Sequence, residues 1–325
     1  MPQAMQHIQP SNNAMPELLS LGECMIELFA DRPLAEATTL TKTFGGDMCN
    51  ALVAAARLGT TTGFITRLGD DPFRDFLLQA WQHEGIDTSL CRIVPGFNGL
   101  YLIALGNNGA REFIYYRSGS AASTLEPADL DHEALRQCRV LLVSGISQAI
   151  SATARAAVQV ASDIVHRYGG DVAYDPNFRS RLWQAEEARA ALIALLPAIS
   201  IALPSAPEES SLLLGVTDPA EVADFYLRHG VKIVAVKCGE RGVFVADKDA
   251  SCWVEAVPPR QVVDTSGAGD TFNGAFLHAI LRGLPLRTAA QLGATAASLK
   301  VEGRGAVASQ PRGPQVWERL KAYYG

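Results

Sequence analysis

From Val140 onward the chain repeats one device: a short continuous apolar run followed by a segment of helix length. The runs are VLLVSGI (140–146), VAYDPN (172–177), ISIALPS (199–205) and KIVAVKCG (232–239). A strand with one wet face would alternate apolar and polar residues, so an unbroken run means that both faces are covered. Such strands, joined by helical crossovers, specify an α/β fold with a doubly wound, mainly parallel sheet flanked by helices. In sheets of this kind ligands lie beyond the carboxyl ends of the strands. The runs end in polar groups: Asp175, Asn177 and Arg179 after the second, Ser205 with Glu208 one turn on after the third, Lys237 and Gly239 after the fourth. Separate strands thus deliver chemistry to one edge.

The first third reads differently. SLGECMIELFAD (20–31) and LYLIALGNNGAREFIYYR (100–117) read as strands, the latter as a hairpin turning at Asn107-Asn108-Gly109. Segments near 29–45 and 91–117 are expected to form a small, discontinuous β lid over the site. Residues 1–17 are polar and lack both a basic start and an apolar core, which reads as a flexible tail rather than a signal peptide. Residues 18–325 then form one domain. The longest apolar stretch, 191–203, is interrupted by Pro197 and falls short of the roughly 18 residues that a membrane helix needs. A net charge of -6 argues against nucleic acid as a partner. The 6 cysteines are scattered without a CxxC pair, which argues against structural zinc and for a reduced cytoplasmic chain.

Neither GxxxxGK[ST] nor GxGxxG occurs, so P-loop and dinucleotide readings are unavailable, and the absence of HExxH and GxSxG weakens hydrolase readings. What remains is DTSGAGDTFNGAF (264–276). Phe272, Ala275, Phe276, Ala279 and Ile280 recur at helical spacing and Gly283 is a plausible stop, which places Ser266 or Gly267 at the N-cap. Amides at such a start have no intrahelical partner and can hold an anion, and small residues at Gly267, Ala268 and Gly269 let it approach. An acid beside an anion pocket needs a job. Asp270 is either a first-turn acid favoured by the helix dipole, or a base that takes a proton from a hydroxyl attacking a phosphoryl group.

The same stretch resembles throughout the second signature of the ribokinase-like (PfkB) family of carbohydrate kinases. A companion pattern, GGDMCNALVAAARLG, carries Gly45, Gly46, Asn50, Gly59 and Gly69 at the family spacing, and departs from it at Met48 and Leu52. The resemblance runs from about Leu18 to the C-terminus. It implies that Asp270 is the catalytic base, with the backbone of Gly267, Ala268 and Gly269 as anion hole, and that the cofactors are ATP and Mg2+. Glu208 matches the Glu of the family's Asn-x-x-Glu element, associated with magnesium, while Ser205 replaces the Asn. Lys237, Gly239 and Gly242 resemble the nucleotide-side loop. Asp264 and GRGAV (303–307) sit where the family often binds a monovalent cation such as K+.

REFIYYRSGSAAS and YDPNFRSRLW are similar to segments of 2-keto-3-deoxygluconate kinases, which implies an acid sugar. Arg117 and Arg179 are the candidates to grip its carboxylate with paired hydrogen bonds. Tyr101 and Tyr115 would offer ring faces and hydroxyls, and Gly46, Asp47 and Asn50 would meet the sugar from the first half. Whether Tyr115 or Tyr116 faces the site is open at this level. So are a neutral sugar such as fructose or ribose, a sugar phosphate, and a catalytically silent sugar-binding protein. The family resemblance further implies a homodimer through the lid.

Overall fold

The apolar runs become parallel strands because each is sandwiched. The structure, a computed structural model, describes residues 15–105 and 111–325. Its strands are β1 (Leu18–Leu21), β2 (Met25–Phe29), β3 (Thr41–Gly45), β4 (Thr62–Gly69), β5 (Ile86–Asp87), β6 (Cys91–Val94) and β7 (Leu100–Leu105). They continue with β8 (Arg111–Tyr116), β9 (Val140–Ser144), β10 (Asp171–Asp175), β11 (Ile201–Ala202), β12 (Ile233–Lys237), β13 (Val243–Asp247) and β14 (Ser251–Val254). The large sheet has the order β14-β13-β12-β11-β10-β9-β1-β4-β5, with β6 also pairing β4. It is parallel from β12 to β5, and only β12–β13 and β13–β14 pair antiparallel.

Alternate residues of one strand enter different layers, the period of two of an extended chain. Leu18, Val140 and Leu142 pack with the helices Asp47–Arg57, Ala268–Leu281 and Leu286–Val301 on one face. Leu19, Leu21, Leu141 and Val143 pack with the helices Ala152–Arg167 and Pro219–Arg228 on the other. Among the described residues no helix is long and apolar enough to cross a membrane.

A second sheet has the order β3-β2-β7-β8, parallel between β2 and β7 and antiparallel at its two outer pairs. It corrects the expected lid in three places. The segment 20–31 is two strands, β1 in the large sheet and β2 in the small one, with the chain bending at Gly22 between them. The small sheet therefore starts at Met25 rather than 29. Cys91–Val94 is not part of it and pairs in parallel with β4. The expected hairpin pairs Leu100 with Tyr116 through to Leu105 with Arg111; its turn at Asn107-Asn108-Gly109 lies outside the described residues.

The expected tail boundary also moves. Residues 1–14 lie outside the described residues, but Glu17 belongs to the folded body. It pairs with Arg139 (2.9 Å) and Arg282 (2.5 Å) and its amide donates to Thr61 Oγ1. A polar composition reads alike for a tail and for an acid clamped by two arginines.

Candidate active site

A cleft of about 1060 Å³ opens between the carboxyl edge of the large sheet and one face of the small sheet. The Gly267–Gly269 turn lies along its floor. Gly267 caps the Ala268–Leu281 helix in the left-handed region, φ 75°, which settles the N-cap in its favour over Ser266. A Cβ there would also lie 3.1 Å from the Ala306 carbonyl oxygen. Gly283, at φ 69°, follows the helix end as expected.

Asp270 follows in the first turn, half-buried beside the cleft. The Asn50 side-chain amide donates to its Oδ2 at 2.8 Å. Burial pushes the Asp270 carboxyl up to about 7, and the Asp47 and Asp175 carboxylates add to the rise against Asn50 and Lys237. A carboxyl poised there exchanges protons near neutrality, as a base for a hydroxyl must.

The Asp47–Arg57 helix brings the first-half residues. Gly46 sits at its cap, and a Cβ on it would fall 2.2 Å from the Glu23 carbonyl oxygen. The glycine is required by the neighbouring backbone, whereas sequence reasoning reserved its space for the sugar. Asp47 lines the cleft with one carboxylate oxygen tied down: Ser144 Oγ donates to its Oδ2 at 2.6 Å and Asn177 Nδ2 at 3.3 Å. Burial outweighs the Ser144 hydroxyl and leaves the Asp47 carboxyl raised above its ordinary range. Asp47 thus ties the helix to β9 and to the loop after β10.

That loop holds Asn177 at φ 38°, a strained conformation for a residue with a side chain, fixed by Asp175 Oδ1 accepting its amide at 3.1 Å. Asp175 also anchors Lys237, whose Nζ donates to Asp175 Oδ2 (2.8 Å) and to Asn273 Oδ1 (3.1 Å). A Cβ built on Gly269 would be 3.9 Å from Lys237 Nζ. Lys237 thus places a cation beside the Gly267–Gly269 turn. Asp175 was named from sequence only as a strand-end polar group, and Asn273 and the half-buried Glu209 were missed as site residues. Asn273 had a signal, its place inside the motif; Glu209 was hidden behind Glu208. Glu209 accepts from the amides of Ser205 (2.7 Å) and Phe178 (2.8 Å), joining the ends of β10 and β11. Burial foremost, then Asp175, raises its carboxyl.

On the small sheet Tyr101 and Tyr115 both line the cleft, their rings stacked at 5.6 Å. Tyr116 points away and is 58% exposed, which answers the question of alternation. Tyr101 donates its hydroxyl to buried Glu27. Arg117 lines the cleft too, but its guanidinium is already paired with Glu23, whose side chain is 2% exposed. Burial pushes Glu23 up to about 7 despite Arg117. Glu23 and Glu27 carried no sequence signal, since their partners are strands away. Arg179 is exposed on the cleft wall next to Arg181, a second cation that sequence reasoning passed over.

The expected nucleotide residues are scattered. Ser205 and Glu208 line the cleft; Glu208 is exposed at the start of the Glu208–Leu214 helix and also lines a neighbouring cleft of about 670 Å³ with Gly239. Gly242 lines neither. It has φ 109° and a Cβ there would lie 2.1 Å from the Val254 carbonyl oxygen, so β14 explains this glycine. Asp264 is buried beneath the Gly267–Gly269 turn, its carboxylate accepting from the amides of Ser266 and Gly305 at 2.8 Å each. Among the described residues no three His, Cys, Asp or Glu side chains cluster as a metal cage. Magnesium that arrives on nucleotide phosphates and keeps its waters needs no cage, and Glu208 fits such an ion.

The pfkB family carbohydrate kinase profile matches residues 15–312. A 2-dehydro-3-deoxygluconokinase of Dickeya dadantii is 34% identical over 88% of this chain and 95% of its own. A 5-dehydro-2-deoxygluconokinase of Geobacillus thermodenitrificans is 30% identical over 92% of this chain and 91% of its own. Among solved structures, a putative ribokinase II of E. coli in complex with ATP and magnesium is 26% identical, with a TM-score of 0.87 over 95% of this chain and 100% of that one. The chain belongs to the pfkB family of carbohydrate kinases.

Proposed function

We propose that this carbohydrate kinase transfers the γ-phosphoryl group of ATP to the terminal hydroxyl of 2-keto-3-deoxygluconate, giving the 6-phosphate and ADP. One observation carries the reading: a single cleft holds Asp270 beside the Gly267–Gly269 amides on its floor and Arg117, Arg179 and Arg181 on its walls. That spacing of functions suits a molecule with a hydroxyl at one end and a carboxylate at the other. Asp270 takes the hydroxyl proton while the Gly267, Ala268 and Gly269 amides and Lys237 hold the charge that develops on the phosphoryl oxygens. Magnesium, when bound, neutralises the ATP phosphates, with Glu208 holding it through water. Ser205 and Gly239 flank the nucleotide, and Gly242 shapes their loop. Tyr101 and Tyr115 give the sugar a stacked wall, and Asp47 and Asn50 orient it.

The carboxylate falls to Arg179 and to the donors of Arg117 that Glu23 leaves. The Dickeya relative's name supports this substrate. The Geobacillus relative's name supports a second reading, 5-dehydro-2-deoxygluconate, which keeps the carboxylate and the terminal hydroxyl and moves the keto group. The chain forms a homodimer through the small sheet: Ile114 and Tyr116, on the side of β8 away from the cleft, are 40% and 58% exposed, apolar area that a second copy would cover. Six free cysteines and ATP as donor suit the cytoplasm.

The test is a coupled ADP-release assay against both acid sugars, fructose and ribose, for the wild type and Arg179→Ala. A strong preference for an acid sugar, lost in the variant mainly through KM, is the expected result. Preference for a neutral sugar, indifferent to Arg179, would discard the substrate and keep the kinase.

A further inference from the structure

Lys300 lies in the last turn of the Leu286–Val301 helix and has 0% exposure. Lysines are almost never fully buried, because taking an ammonium out of water is strongly unfavourable unless partners replace the solvent. Its Nζ donates to the backbone carbonyl of Asp264 at 2.7 Å and lies 3.9 Å from Asp264 Oδ1. Asp264 is the residue from which the anion turn starts. Its Oδ1 accepts the Ser266 amide and its Oδ2 the Gly305 amide, so one carboxylate joins the turn to the 303–307 loop. Burial opposes its ionisation, but those amides and Lys300 prevail and hold the Asp264 carboxyl below its ordinary range. Ser309 Oγ ties the same parts together from the other side, donating to the carbonyls of Lys300 (3.0 Å) and Gly305 (2.8 Å).

We propose that Lys300 is a built-in monovalent cation: a positioning residue whose ammonium orders the Asp264–Gly269 turn for phosphoryl transfer, so that catalysis needs no potassium. The proposal rests on the reading of Gly267–Gly269 as an anion hole. The residues around Asp264 do not fit an added ion. The carbonyl that it would use is already held at hydrogen-bond distance, and an ion brought there would meet a buried like charge. The ammonium does what a bound ion would do, fixing the Asp264 carbonyl at the start of the turn so that the amides of Gly267–Gly269 stay aligned. Misplacing such groups by about 1 Å can cost on the order of a hundredfold in rate.

Two measurements test this. Wild-type kcat and melting temperature are followed while potassium is exchanged for sodium or tetramethylammonium at constant ionic strength; both are expected to be indifferent. In Lys300→Ala, kcat is expected to fall with little change in sugar KM, and kcat and melting temperature to recover in potassium or ammonium but not in tetramethylammonium. Severalfold potassium activation of the wild type would overturn the proposal. So would a folded Lys300→Ala with wild-type kcat, or one whose loss no small cation repairs. Should Lys300→Ala fail to fold, Lys300→Gln in the same salt series and the wild-type ion response decide the matter. The thermal response to ions needs no sugar, so a wrong substrate and a wrong role for Lys300 give different results.

Discussion

Removing the Asn50 side chain should move the pH profile of the reaction, by an amount that the site geometry sets. Asn50 Nδ2 donates to Asp270 Oδ2 at 2.8 Å, a bond that favours the ionised form. A hydrogen bond to a charged group contributes about 1.5–3 kcal/mol, or roughly one to two pH units of acidity. In Asn50→Ala water can enter the gap and restore part of this, so the expected rise is about one unit. The wild-type acid limb of kcat/KM for the sugar, which reports the enzyme before sugar binds, should fall near the value of about 7 to which burial pushes Asp270. At neutral pH about half of the wild type then carries the base, against roughly one molecule in eleven of the variant. The variant should thus lose about fivefold more at pH 7 than at pH 9, over any uniform loss from weaker sugar binding. The assay is ADP release at saturating MgATP and low sugar across the pH range. A ratio of variant to wild type that stays constant with pH would refute the assignment of that limb to Asp270.

Asp270→Asn should keep the sugar affinity seen by calorimetry yet lose about a hundred- to ten-thousandfold in kcat, the usual share of a general base; turnover within a few-fold of wild type would remove Asp270 from that role. Gly274→Ala should destabilise the fold, because a Cβ there would fall 2.1 Å from the Ala51 carbonyl oxygen where two helices cross. Overpacking of about 1–3 kcal/mol outweighs about 1 kcal/mol of helix propensity, a melting point lower by up to a few degrees, and an unchanged melting point would refute the close crossing. Stability should also fall as pH rises from about 4.5 to about 7. Glu23 and Asp270, raised by burial to about 7 each, keep protons in the folded state that the unfolded chain has already released. Calorimetry should therefore give a higher melting temperature at mildly acidic than at mildly alkaline pH, and a flat profile would contradict it.

Local pattern was enough for the framework. Unbroken runs such as VLLVS specified strands covered on both faces, and the small residues before Asp270 specified a helix start open to an anion, because these are properties of consecutive residues. Arg117, Tyr101 and Asp270 were legible as cleft residues for the same reason: each sits in a motif or on a strand of readable period. What consecutive residues do not encode is who meets whom across the sheet. Glu23 pairs with Arg117 from 94 positions away along the chain (117 − 23), and Asp175 reaches both Lys237 and Asn273. Those pairings set which arginine is free for a substrate carboxylate and which lysine faces the turn. Lys300 is the clearest case. On its helix it reads as a last-turn cation favoured by the dipole. Only the packing of that helix beneath the Asp264 turn buries its ammonium and hands it a backbone carbonyl, since burial is decided by neighbours distant in sequence.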